Sequence, residues 1–234
     1  MKTHRPHSFR LALATLVAVL SAFTVAAIFT GRDVEAHSAS GHHAATSSHH
    51  AAKISHGEFI LRQEMRRLWE EHVTWTRLAV ISLTTDAPDT QATVGRLLRN
   101  QTDIGNAVKP YYGAAAGNRL TSLLREHILI AADLIAAART GVAASVAAQQ
   151  ARWTANADQI AALLNGANPR FWKLDAMKAM MHEHLGLTTD EVVARLQGDW
   201  PADVVAYDRI HLQGLHMADM LSRGIVHQFP RQFR

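Results

Sequence analysis

Histidine is the residue type that offers this chain the most chemistry. There are fifteen histidines and no cysteine. Imidazole and carboxylate are therefore the strong metal donors available, and thiolate sites, disulfides and cysteine nucleophiles are excluded. Four histidines, His72, His127, His184 and His211, interrupt apolar stripes that recur in steps of three and four, each in a different segment. Inward imidazoles from several helices are how helical bundles build metal sites. Asp208 lies three residues before His211 and shares its side of a helix, whereas Glu126 and Glu183 adjoin His127 and His184 and point ~100° away. Asp103 and Asp158 are further ligands, or acceptors for a ligand's other ring nitrogen. The candidate metal set is thus His72, His127, His184, His211, Asp208, Asp103 and Asp158, with Zn, Cu, Ni or Fe as the divalent ion. The chain has one Asp-x-x-His and no second copy, which separates it from carboxylate-bridged di-iron bundles. The competing reading is a set of buried neutral histidines, hydrogen-bonded to partners such as Asn106, Asn156 or Trp75. A catalytic acid–base pair is a third.

Other residues offer less. Trp75, Tyr111, Tyr112, Trp153, Phe171 and Trp172 are expected to plug a bundle end, with a ligand pocket as the alternative. Met177, Met180, Met181, Met217 and Met220 sit on helical stripes as core filler, or as soft copper ligands. Arg77 and Arg125 are either anion sites or solvated surface charge. No nucleophile elbow and no glycine-rich phosphate loop after a strand is present.

The elements that must position these residues read as helices. The stripe Leu61, Met65, Leu68, His72, Trp75, Ala79, Ser82 marks the first, and Asp86–Asp89 breaks it, with Asp89 as a cap for the next. The second carries Val94, Leu97, Gln101, Ile104 and Val108 and ends at Lys109–Gly113. The third holds Leu120, Leu124, His127, Ala131 and Leu134 up to Gly141. The fourth covers about 142–165. The fifth, with Met177, Met181 and His184, stops near Gly186, and a short capped helix starts at Thr188–Glu191. The last carries Val204, Tyr207, His211, Gly214, Ala218, Leu221 and Ile225. No useful stretch alternates at period two. The expected fold is all-α, an antiparallel bundle of about six helices. Two stretches share an order of amide-bearing helix, proline–aromatic turn and Glu-His: Asn100 to His127 and Asn156 to His184. They suggest two related helical hairpins with pseudo-twofold symmetry.

Three regions are expected. Residues 1–36 hold Lys2, Arg5 and Arg10, an uncharged run over 11–29 and Val34-x-Ala36, which is a secretory signal or an uncleaved signal anchor. Residues 37–57 form a Ser/Ala/His linker, expected to be disordered, whose His42, His43, His49 and His50 either capture Cu, Zn or Ni or serve as a solvated spacer. Residues 58–230 form the bundle. The body would therefore be exported, periplasmic or extracellular, touching a membrane only through 11–29 if that segment stays attached. Beyond residue 36 there are 20 basic and 18 acidic residues, too balanced for a nucleic-acid partner.

The strings LWEEHVTWTR (68–77), NQTDIGNAVKPYYG (100–113), LLREHILIAADLI (123–135), RWTANADQIAALL (152–164), MMHEHLGLT (180–188) and HMADMLSRGIVHQFP (216–230) resemble an uncharacterised group of small bacterial all-helical proteins. Members of that group often carry the labels glycosyltransferase or acetylglutamate kinase. The resemblance covers about 58–230 and implies the helical fold. It assigns no catalytic residue, and no motif in the chain supports either label. The sequence leads to an exported bundle that binds a small ligand or transition metal through inward histidines. A structural or interaction protein of the cell envelope is the alternative, and an enzyme of unknown type the third.

Overall fold

A computed structural model describes residues 54–234. The export segment and most of the histidine-rich linker lie outside the described residues. The described residues contain helix and no strand. None of their helices is long and apolar enough to cross a membrane.

Helix α1 spans His56–Thr85, and the Ser55 hydroxyl accepts the backbone N–H of Glu58 at its start. It ends on Asp86 in the left-handed region. Helix α2 spans Thr90–Thr140 and is interrupted at Gly113, whose φ of 82° and ψ of 167° only glycine adopts readily. The two limbs of α2 fold back on one another. A Cβ on Gly105 would stand 2.7 Å from the Gly117 carbonyl oxygen, so the backbones touch where they cross. Helices α3 (Ala143–Ala167), α4 (Leu174–Gln197) and α5 (Trp200–Gln228) follow, and a 3-10 turn covers Pro230–Phe233.

Two expectations need correction. The chain was expected to leave its helix near Gly186 and begin another at Thr188, yet α4 runs through both. Gly186 is exposed with nothing near its Cβ position, and the helix continues because Leu185, Leu187, Thr188 and Glu191 are buried against its neighbours, with the Thr188 hydroxyl donating to the His184 carbonyl at 2.9 Å. Asp89 does occupy the cap position of α2, but its carboxylate accepts the Ser82 hydroxyl at 2.8 Å instead of a helix N–H.

The helices form a closed ring: α1 packs on α2 and α5, α2 on α3, α3 on α4, and α4 on α5. Its core includes Met65, Leu68, Leu123, Ile160, Met177 and Ile225. One end is closed by aromatics. Tyr111 stacks on Phe233 at 5.8 Å, and Tyr112 meets Trp172 and Phe229, each at 5.4 Å. Trp172 lies directly on Gly224, where a Cβ would stand 2.0 Å from its indole nitrogen.

Candidate histidine centre

Three of the four striped histidines meet inside the ring. His72 comes from α1, His127 from the second limb of α2, and His184 from α4; all are buried. The His184 ring centre lies 5.8 Å from that of His72 and 6.2 Å from that of His127. Trp153 packs against His127 at 5.2 Å.

His127 and His184 are held from behind in the same way, and His72 in a related one. The Nδ1–H of His127 donates to Asn156 Oδ1 at 2.8 Å, and Asn156 Nδ2 donates to the Leu123 carbonyl, four residues before the histidine. His184 Nδ1–H donates to Gln213 Oε1 at 3.2 Å, and Gln213 Nε2 donates to the Met180 carbonyl, again four residues before. His72 bonds to the Asn100 side chain, and Asn100 Nδ2 donates to the Leu68 carbonyl, also four residues before. Gln101 Nε2 donates to His72 Nδ1 at 3.1 Å, so this ring nitrogen accepts where those of His127 and His184 donate. At His127 and His184 one carboxamide thus engages a ring nitrogen and a helix carbonyl together, and at His72 neighbouring Asn100 and Gln101 share the task, which fixes each ring's rotation.

The recurrence extends along the helices. Residues 65, 120 and 177, seven before each histidine, are Met, Leu and Met, all buried. Residues 80, 135 and 192, eight after, are Val, Ile and Val and form one cluster. Asp86, Gly141 and Gly198, the left-handed caps that end each histidine helix, stand fourteen residues beyond 72, 127 and 184.

The electrostatics follow from dryness. Burial drives the His72 and His127 pKa down to about 3, and lowers that of His184. The neighbouring imidazoles push the first two the same way, since a second positive charge nearby is unfavourable. The bonds to Asn100, Asn156 and Gln213 pull upward and are outweighed. The three rings are neutral at physiological pH. His127 Nε2 is buried without a partner.

Apolar cavities flank the histidine layer. One, of about 50 Å³, is bounded by residues following the histidines, among them Thr76, Val80, Ile135, Thr188 and Val192. The other, of about 40 Å³, lies toward the aromatic end and is bounded by Leu120, Ile160, Met180, Met181 and Met217, with the three histidines again in its wall. Neither cavity has an Asp, Glu, Lys or Arg in its lining.

The rest of the predicted ligand set is elsewhere. His211 is half-buried at the surface, its Nε2 2.7 Å from Glu70 Oε2. The buried stripe of α5 runs through Ile210, Gln213, Gly214 and Met217, so His211 is one position, about 100°, off the inward face. Asp208 and Asp103 are exposed. Asp158 accepts from Lys178 at 2.9 Å and pairs with His182 at 2.8 Å on the outside. Among the described residues, no group of three or more His, Asp or Glu side chains stands in metal-holding geometry. Sequence reasoning named Asn156 as a histidine partner, whereas Asn106 is exposed; it missed Asn100 and Gln213. The available signal was a carboxamide 28 or 29 residues after each histidine.

The arginines are not open anion sites. Arg77 is paired with buried Glu191 and Asp203, the latter also held by Arg195 at 2.8 Å, and Arg125 donates to the Leu98 carbonyl. Comparison with known protein families, curated proteins and solved structures found no match to this chain.

Proposed function

We propose that this chain is an exported binding protein whose histidine layer, His72, His127 and His184, takes up one transition-metal ion on the axis of the bundle. The observation that carries this reading is the triplicated pairing of a buried neutral imidazole with a carboxamide behind it. A metal ligand must be unprotonated at one nitrogen and anchored at the other. His127 and His184 meet both conditions at Nε2, whereas His72 Nδ1 accepts from Gln101 Nε2 and its ring would have to exchange tautomer to bind through Nε2. An ion there would also give the solitary His127 Nε2 a partner, which otherwise costs about 1–3 kcal/mol. Three imidazoles bound at ~2.0 Å place their ring centres about 5.5 Å apart, against 5.8 Å between His184 and His72 and 6.2 Å between His184 and His127.

The same recurrence supports a finer view of the architecture. Three hairpins, each pairing a histidine helix with an amide helix, would surround a pseudo-threefold axis, with Gly113 dividing α2 between the first two. This replaces the pairing of two hairpins suggested by the sequence, whose frame began on the amide helix. Residues 1–36 would deliver the bundle across a membrane, and relation to the uncharacterised helical group would extend to the same fold.

Equilibrium dialysis against Zn(II), Ni(II), Fe(II) and copper, followed by elemental analysis, tests the proposal. The full chain carrying serine at positions 42, 43, 49 and 50 is expected to retain one ion. His127→Gln is expected to retain none while keeping its helical signal. Loading to a hundred times Kd should stabilise the fold by about 2.7 kcal/mol. No stoichiometric ion with any of the four metals would leave the layer as a polar device that fixes helix register, the role a cell-envelope structural protein would give it.

A further inference from the structure

We infer that the aromatic end of the bundle is a docking surface for an anionic phospholipid membrane, which the body meets end-on. The inference rests on the reading of residues 11–29 as a membrane-seated export segment and is independent of any metal. Three observations carry it.

The first is where unpaired charge collects. Ten lysines and arginines among the described residues have a carboxylate partner, as Arg66 has Asp219 and Arg96 has Glu71. Of the nine without one, Arg99 and Arg125 lie midway along their limbs of α2. The other seven, Lys109, Arg119, Arg170, Lys173, Arg223, Arg231 and Arg234, stand at or within two turns of the aromatic end. All but Lys109 are exposed. The acids at that end are Glu58, already engaged by Arg62, and Asp175. The turns at the far end expose Asp86, Asp89 and Asp199 instead. Like charges gathered without partners repel one another and create a potential that an anionic surface relieves.

The second is what accompanies the charge. Phe59, Ile60 and Leu174 are exposed at the same end. Apolar side chains among bases suit the headgroup boundary of a bilayer, where rings and alkyl groups enter and cations meet lipid phosphates. The far end also exposes Val142 and Trp200, so apolar area does not choose between the ends, and charge does.

The third is where the chain enters. Helix α1 begins at the basic end, for a Cβ on Gly57 would stand 3.7 Å from both the Gln232 carbonyl oxygen and the Phe233 ring. The apolar run 11–29 therefore joins the body on that side. A chain seated in a membrane through this run brings the basic end toward the same membrane. The attraction acts only within about 10 Å at 0.1 M salt, so an end held nearby gains most from it.

The test uses the full chain, reconstituted in vesicles of phosphatidylcholine alone or with about one-third phosphatidylglycerol, each carrying a quencher on a lipid headgroup. The chain has no cysteine, so Gln232→Cys at the basic end and Gln91→Cys at the far end each accept one fluorophore. The expected result in anionic vesicles is a quenched probe at 232 and an unquenched one at 91, with the difference erased by molar salt. In neutral vesicles the two probes should behave alike. Arg170→Gln, Lys173→Gln, Arg231→Gln and Arg234→Gln together should lower the docked-to-undocked ratio at least ~100-fold while keeping the helical signal. Equal quenching of the two probes in anionic vesicles would overturn the proposal without any charge variant. Quenching at 232 that survives in neutral vesicles or in molar salt would overturn it too, since the contact would not be electrostatic. Tighter binding to duplex DNA than to anionic vesicles at the same salt would assign the surface to nucleic acid and also overturn it. A chain that fails to float with neutral vesicles would defeat the seating of 11–29. Flotation with anionic vesicles alone, lost in the fourfold variant, would still support the docking surface.

Discussion

The histidine layer and the outer histidines use the same side chain to opposite ends. His72, His127 and His184 have carboxamide partners and a dry surround. His182 and His211 have carboxylate partners, Asp158 and Glu70, and face water. An amide can satisfy a neutral ring without adding charge to the interior. A carboxylate in that position would bring a full charge into a cavity wall that has none, with nothing nearby to offset its desolvation. Partner chemistry therefore separates a histidine designed to stay neutral from one that belongs to the ionic surface. The distinction is visible before any ligand is considered.

The largest expected effect of this difference is on acid stability. The folded chain holds His72 and His127 unprotonated down to about pH 3, while an unfolded histidine protonates near pH 6.5. Between those values the unfolded state binds more protons, so stability falls as pH falls. Above about pH 6.5 the contribution is fully present. Below it, each histidine removes about 1.4 kcal/mol per pH unit. Two of them alone exhaust a domain stability of about 5–15 kcal/mol within a few units. Urea unfolding across pH 7 to 4 should show a slope of at least two protons, reduced by one in His127→Gln. A slope below one proton would mean that the layer is wet or already protonated.

Removing an inner partner comes next in size. Asn156→Leu fits an apolar group of similar volume but strands the buried His127 Nδ1–H, while the Leu123 carbonyl keeps its bond within the helix. One unsatisfied buried donor places the loss at about 1–3 kcal/mol by chemical denaturation. Asn156→Asp restores an acceptor but not the amide donor, and should also be destabilising. A leucine variant within 1 kcal/mol of the parent, by ~±0.5 kcal/mol resolution, would show that the pairing is incidental.

Much of this was legible in the sequence because periodicity reports which face of a helix is apolar. The stripes of α1 and of the second limb of α2 place His72 and His127 correctly. The method failed where two stripes compete. On α5, Tyr207 and His211 lie beside the true inward line of Ile210, Gln213 and Met217, and the stripe Tyr207, His211, Gly214, Ala218 runs in steps of three and four just as the buried one does. Gly186 and the Thr188–Glu191 run imitate a helix stop and restart, and nothing local shows that the backbone continues. That misreading carries its own prediction. Gly186 is helical, exposed and unobstructed, so Gly186→Ala should stabilise the fold by about 0.5–1 kcal/mol, read as a higher urea midpoint. The hairpin recurrence was harder to see, since its amides are Asn, Asn and Gln and its helix caps Asp, Gly and Gly. The repeat conserves hydrogen-bonding role and spacing, not residue identity.

The smallest effect lies at the outer pairs. Glu70→Gln leaves His211 an acceptor at the same position and removes one surface charge. The Glu70 side chain is 45% exposed and that of His211 35%, so water competes for both groups and salt screens what attraction remains. The expected loss is under about 0.5 kcal/mol, and smaller still in molar salt. The informative quantity is its ratio to the Asn156→Leu loss. Asn156→Leu deletes a histidine partner and Glu70→Gln only neutralises one, so a ratio near one would mean that the buried pairing contributes no more than a surface charge, and the division between a neutral interior layer and an ionic surface would lose its energetic basis.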